Sequence, residues 1–221
     1  MAEDRPARIV RDRHGIPQVS AADIPGLYWG MGYAHAKDRG LQMILMRVLG
    51  QGRAAELLDG SDEMVEVDRF FRKMSWGTGV EQEASKLTVE AAAACEAYCA
   101  GANRRFAESL PWELRLVGLR PDPWTVGDSL LLARMAGFLT LAQSQGEIER
   151  LFVEMVRAGV GDAHLEAIFP GSTLGLDRAM IERLTLEERV VPEAVKWAAA
   201  VPRMMASNNW CVHGSRTKSG A

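Results

Sequence analysis

Residues 206–217 read Ala206-Ser207-Asn208-Asn209-Trp210-Cys211-Val212-His213-Gly214-Ser215-Arg216-Thr217, and this is where the chain concentrates chemistry. Trp210, Val212 and Thr217 favour extended backbone, and Gly214-Ser215 supplies a turn or bulge, so the stretch is expected to form a hairpin. Ser207 stands at its head, behind small Ala206 and the helix-like Met204-Met205. A serine hydroxyl is a poor nucleophile near neutral pH and needs a base beside it. If the Ala206–Ser207 bond breaks, the serine's own amine becomes that base. An α-amino group titrates at roughly 7.7–8.0, against roughly 10.4 for lysine, so much of it is neutral at working pH. One residue then supplies both nucleophile and base.

Other candidates are weaker. No Gly-x-Ser-x-Gly elbow surrounds Ser144 or Ser215. His14 reads as a turn residue, and Tyr33, His35 and Asp38 as structural hydrogen-bonding groups. The Asp62, Glu63, Glu66, Asp68 cluster lacks calcium-loop spacing. The interspersed Val65, Val67, Phe70 and Phe71 predict an amphipathic helix with a solvated acidic face. Cys95 and Cys99 share one helical face, with no further ligands at metal spacing, and read as core.

The surrounding elements follow from local signals. Alternation over residues 7–20 about Asp12-Arg13-His14-Gly15 predicts two short strands and a turn. Asp23 caps a helix that tolerates Pro25 in its first turn. Gly26, Gly30 and Gly32 each weaken that helix by ~1 kcal/mol against alanine, which implies close packing on another element. Leu41, Ile44, Leu45 and Val48 read as core, with Gly50 and Gly52 loosening the helix end. Thr88 opens a helix through Phe106, stopped by Leu110-Pro111-Trp112. Thr125 with Asp128 makes a capping-box-like start to another, whose stretch from Ser129 to Thr140 is apolar all round and expected to be buried. After Phe169-Pro170-Gly171 the pattern changes to glycines, prolines and a charged patch, partly helical.

The bulk properties exclude some classes. At 48% hydrophobic and 25% charged, the 221 residues have ordinary globular composition, enough for one domain or one layer of a larger assembly. A net charge of −3 with scattered Lys and Arg argues against nucleic acid as a partner, and no apolar run approaches the ~20 residues of a membrane span. Met1-Ala2-Glu3-Asp4-Arg5-Pro6 does not resemble a secretory leader, and localisation is left open.

Ser207-Asn208-Asn209-Trp210 followed by Gly214-Ser215-Arg216-Thr217-x-Ser219-Gly220 resembles the start of the catalytic subunit in the penicillin acylase family of N-terminal nucleophile amidohydrolases. Residues 10–17, Val-Arg-Asp-Arg-His-Gly-Ile-Pro, and residues 32–39 with Gln42-Met43 resemble that family's opening segments. Trp124-Thr125-x-x-Asp128 also matches in place, so the likeness runs nearly end to end.

The resemblance implies an α+β chain, the mostly helical portion of a four-layer αββα sandwich. It divides the chain into a small-subunit region (1–170), a connecting segment (171–206) and the start of the large catalytic subunit (207–221). It implies self-cleavage at Ala206–Ser207, then hydrolysis of linear amides through an acyl-enzyme on Ser207, with Asn208 and Asn209 placed to orient the nucleophile strand. It places Met135, Phe138 and Leu139 along the acyl pocket and Glu147 as one carboxylate on a structural calcium ion, with Glu149 the neighbouring alternative. The oxyanion hole and remaining calcium ligands would come from the large subunit, so the chain ending at Ala221 is expected to be inactive without that partner. Gly214-Ser215-Arg216-Thr217 resembles the β-lactam branch more than the acyl-homoserine lactone branch. The alternative is a noncatalytic helical interaction subunit, or an inactive fragment of such an enzyme.

Overall fold

A computed structural model describes residues 6–116, 118–138, 143–186 and 213–218. They fall into two compact units, the first ending at Gly137 and the second beginning at Phe138. Among the described residues the fold is α+β and mostly helical, with one two-stranded sheet.

The first unit opens with the expected hairpin. Strands β1 (Ala7–Arg11) and β2 (Pro17–Ala21) pair antiparallel, Ala7 opposite Ala21 and Ile9 opposite Val19. Turn chemistry sets the register: Asp12 Oδ1 accepts the backbone N–H of His14 at 2.8 Å and of Ile16 at 2.9 Å, and Gly15 adopts φ +80°. Arg11 donates to the Gly15 carbonyl and to Asp38, each at 2.7 Å, tying the turn to the first helix.

That helix, α1 (Ile24–Gly50), is capped by Asp23, whose side chain accepts the Gly26 N–H at 2.7 Å. It is non-helical only at Arg39 (φ −131°, ψ 17°). Its glycines are there for contact. A Cβ on Gly30 would strike Val19 of the hairpin, and one on Gly32 would strike the Tyr98 carbonyl of α5 (Val89–Glu108). Reciprocally, a Cβ on Gly101 of α5 would strike the Trp29 carbonyl of α1. The two long helices therefore meet backbone to backbone. Gly32→Ala is expected to destabilise the protein by about 1–3 kcal/mol, because the obstacle is a helix carbonyl and not a yielding side chain. A denaturant midpoint unchanged by the substitution would contradict this.

Ala54–Leu57 forms the short α2, and Asp62–Met74 forms α3, capped by Ser61. Val67 and Phe71 of α3 are fully buried, as the amphipathic pattern requires. Asp68 departs from the expected solvated face: it is buried and accepts the backbone N–H groups of Ala54 at 2.7 Å and Ala55 at 2.9 Å. An aspartate on orphan donors at a helix start is stabilised by those donors, which offsets its desolvation. Helix α4 (Val80–Ala84) leads to α5, which Thr88 caps through the Ala91 N–H at 3.3 Å. Helix α6 is Trp112–Leu116 and α7 is Val126–Ala136.

The second unit contains α8 (Gln143–Arg157), α9 (Asp162–Ile168) and α10 (Arg178–Arg183). Val156, Leu165 and Ile181, one from each helix, form its buried centre, and Phe152 meets Phe169 edge to face. No helix among the described residues is long and apolar enough to cross a membrane.

Candidate active-site region

Ala206, Ser207 and Leu139 lie outside the described residues. Of the segment around the candidate Ser207, residues 213–218 are described, and a single tight helical turn spans Gly214–Arg216, at the place of the turn expected from Gly214-Ser215. The Arg216 N–H donates to the His213 carbonyl at 2.8 Å. His213 Nδ1 stands 2.9 Å from Ser215 Oγ and 3.3 Å from the Ser215 N–H. A backbone N–H only donates, so Nδ1 is the acceptor and the ring proton belongs on Nε2. His213 thus closes the turn. Thr217, expected in an extended arm after the turn, lies with Lys218 in a bend, while Cys211 and the arm expected before the turn are outside the described residues.

The helix expected to carry pocket residues is anchored with unusual care. Thr125 and Asp128 form a complete capping box: the Asp128 N–H donates to Thr125 Oγ1 at 3.1 Å, and the Thr125 N–H donates to Asp128 Oδ2 at 2.9 Å. The same carboxylate receives Arg47 Nη1 at 3.1 Å, with both side chains under one-tenth exposed. Arg47 also donates to the carbonyls of Pro123 at 3.3 Å and Asp122 at 3.0 Å, and its guanidinium lies 5.4 Å from the Trp124 ring centre. Asn103 of α5 bonds the Trp124 backbone in both directions, at 2.6 and 2.9 Å. Sequence reasoning missed Arg47. The available signal was one arginine on the apolar face of Met43, Ile44 and Val48.

Met135, four residues past Leu131 on α7, is fully buried, its sulfur against Gly50 of α1. Phe138 is half-buried and belongs to the second unit. The stretch from Ser129 is not buried all round as expected: Ala133 and Ala136 are exposed. Arg134 between them reaches the carbonyls of Trp76 at 2.6 Å and Thr78 at 3.0 Å and pairs with Glu83. A helix carrying such an arginine has a polar side by construction, and the alanines flank it.

Glu147 is exposed on α8 and makes no hydrogen bond or ion pair among the described residues, whereas Glu149 accepts from Gln145 at 2.7 Å. Glu147 is therefore the better placed of the two to give a carboxylate to a cation. Among the described residues no three His, Cys, Asp or Glu side chains are grouped to hold a metal, and calcium needs six to eight oxygens. An exposed carboxylate such as that of Glu147 could supply one of those oxygens.

The remaining polar candidates are structural. Tyr33 donates to Glu108 at 2.6 Å, His35 Nδ1 meets the Tyr98 hydroxyl at 3.1 Å, and Asp38 pairs with Arg11. His14 accepts from Arg13 within the hairpin turn at 2.9 Å. Cys99 is buried, which pushes its thiol up to about 11, so it is no nucleophile at neutral pH. Cys95 is half-buried, and both thiols are free.

Hairpin, glycine-packed helices and capped α7 make up a mostly helical α+β arrangement. A family model described as penicillin amidase matches residues 6–221, and the chain belongs to that family. It is 30% identical over 223 residues to the acyl-homoserine lactone acylase QuiP of Pseudomonas aeruginosa, covering 96% of this chain and 26% of that protein. It is also 30% identical over 226 residues to the penicillin acylase 2 proenzyme of Pseudomonas sp., covering 97% of this chain and 29% of the proenzyme. The chain thus spans between a quarter and a third of these relatives' lengths. Among solved structures, the thermostable penicillin G acylase of Alcaligenes faecalis superposes with a TM-score of 0.55 at 26% identity, over 84% of this chain and 96% of that chain.

Proposed function

We propose that this chain is the small-subunit region, connecting segment and nucleophile start of a self-processing amidohydrolase. The observation that carries the reading is that the family match, residues 6–221, takes in Ala206–Ser207 and reaches residue 221. Relatives named as acylases, one of them a proenzyme, support it.

In the maturation step, Ser207 Oγ attacks the Ala206 carbonyl carbon and the peptide shifts to an ester, which water hydrolyses. The products are the Ala206 carboxylate and a free Ser207 amine. In turnover, Ser207 Oγ attacks the carbonyl of a linear, non-peptide amide while the Ser207 amine takes its proton, through a water. The substrate's amine then leaves with a proton, and water hydrolyses the acyl ester to release the acid and restore Ser207. Each oxyanion donor lowers the barrier by about 2.7–4 kcal/mol, and those donors belong to the large subunit, the partner this reading requires. Phe138 and Leu139 serve the acyl side of the pocket, where apolar contact gains about 25 cal/mol per Å², whereas Met135, fully buried against Gly50, packs the core of the first unit. Calcium is structural in this reading, held in part by Glu147.

The substrate joins an acyl group to an amine. The likeness of Gly214-Ser215-Arg216-Thr217 to the β-lactam branch favours β-lactam-type amides first, and the likeness to QuiP is a reason to include acylated homoserine lactones in any screen. The test is intact mass and N-terminal sequencing of the purified precursor containing this chain. A large chain beginning Ser207-Asn208-Asn209-Trp210, copurifying with a small one, is the expected result. A precursor intact at Ala206–Ser207 under conditions where it is folded would overturn the reading.

A further inference from the structure

Pattern change after Phe169 marks residues 171–206 as connecting segment in the sequence, yet the first part of that stretch is built into the second unit. Glu166 of α9 accepts the Gly171 N–H at 2.6 Å and the Thr173 hydroxyl, bonds that hold its carboxyl below the ordinary range. The Ser172 N–H donates to the Phe169 carbonyl at 3.0 Å, so the turn after α9 is pinned from two sides. Asp177 caps α10 through the Met180 N–H at 3.0 Å. Arg178 reaches back to the Val160 carbonyl at 3.2 Å and pairs with Asp162. Ile181 is 5% exposed against Val156 and Leu165. At the far end Arg157 of α8 donates to the carbonyls of Ile181 at 3.3 Å, Glu182 at 3.4 Å and Leu184, covering the acceptors that the end of α10 leaves open.

Resting on the maturation reading above, we infer that residues 171–184 belong to the body of the small subunit and that the removable connecting segment starts only after Leu184. A protease needs its target backbone freed, and the segment's backbone is held by side chains of α8 and α9 while Ile181 fills their joint core. Cleavage within it follows the small population in which α10 has come away.

Two measurements decide the inference. Intact mass of the small chain in the mature enzyme should place its C-terminus at or beyond Leu184; a chain ending anywhere from 170 to 183 overturns it. The second uses uncut Ser207→Ala precursor, so it stands even if self-cleavage proves absent and the functional reading falls. In brief trypsin digestion of that protein, the Arg178–Ala179 and Arg183–Leu184 bonds should be cut more than about tenfold slower than in the Ile181→Ser variant, which empties the joint core. If that variant does not fold, the urea-unfolded chain is the reference. Rates equal to the reference would overturn the inference.

Discussion

Replacing Ser207 by alanine is expected to leave the precursor uncut and to lower amide hydrolysis by about six orders of magnitude, the scale seen when a serine hydrolase loses its nucleophile. The effect is large because one atom is used twice. Without Oγ there is no attack on the Ala206 carbonyl, so the α-amine that would act as base stays locked in a peptide bond. Nucleophile and base are lost together, and the variant cannot fall back on a neighbour. His213 is the nearest described imidazole in sequence, and its Nδ1 is already occupied by Ser215. Ser207→Cys restores a nucleophile at the same position, since a thiol remains competent to attack the Ala206 carbonyl. Precursor cleavage retained in the cysteine variant and absent in the alanine variant is the expected pair of mass spectra. A Ser207→Ala protein that still splits at the same bond would end the argument.

Arg47→Met should destabilise the folded protein by about 3–5 kcal/mol, the usual cost of removing one partner of a buried ion pair. Asp128 would keep its charge at under one-tenth exposure, and the carbonyls of Asp122 and Pro123 would lose their shared donor. Arg47→Lys should recover little, because one ammonium cannot reproduce the planar fork that spans those acceptors while lying near Trp124. The comparison is Arg150→Ala, which removes a more exposed helix pair with Glu154 and should cost well under about 1 kcal/mol. Urea midpoints for the three variants give the ranking directly. An Arg47→Met midpoint as close to wild type as that of Arg150→Ala would show that the buried pair contributes nothing.

The hairpin, the helix caps at Asp23, Thr88 and Thr125, and the close approach of Gly30 and Gly32 were legible because each signal sits within a few residues of its effect. Asp12 and Gly15 dictate a turn whatever lies beyond it, and a run of costly glycines in a helix announces a near neighbour. Burial of charge was not legible. Asp68 looks like its exposed neighbours Glu63 and Glu66 until Ala54 and Ala55 present their N–H groups, and Arg47 finds Asp128 across 81 positions of chain. The alanines of α7 read as core by type, and it is Arg134, reaching back to Trp76 and Thr78, that turns them outward. For the site, the motif at Ser207 names a chemistry from adjacent residues alone. The proposed acyl pocket and cation site would depend on groups that converge from distant chain, and residue type alone did not show that Met135 is fully buried in the core.

The reciprocal contact of Gly32 and Gly101 with the carbonyls of Tyr98 and Trp29 leaves this pair of helices no side chain through which to adjust. An inserted residue upstream of either glycine within its own helix would swing it by about 100° and bring a bulkier neighbour to the crossing point. In the interval between the helices, buried Val67, Asp68 and Phe71 hold α3 in place, whereas the exposed turn at residues 58–60 carries no such restriction and can lengthen or shorten. Length variation in descendants of this chain should therefore gather at that turn, with α1 and α5 inherited as a fixed couple.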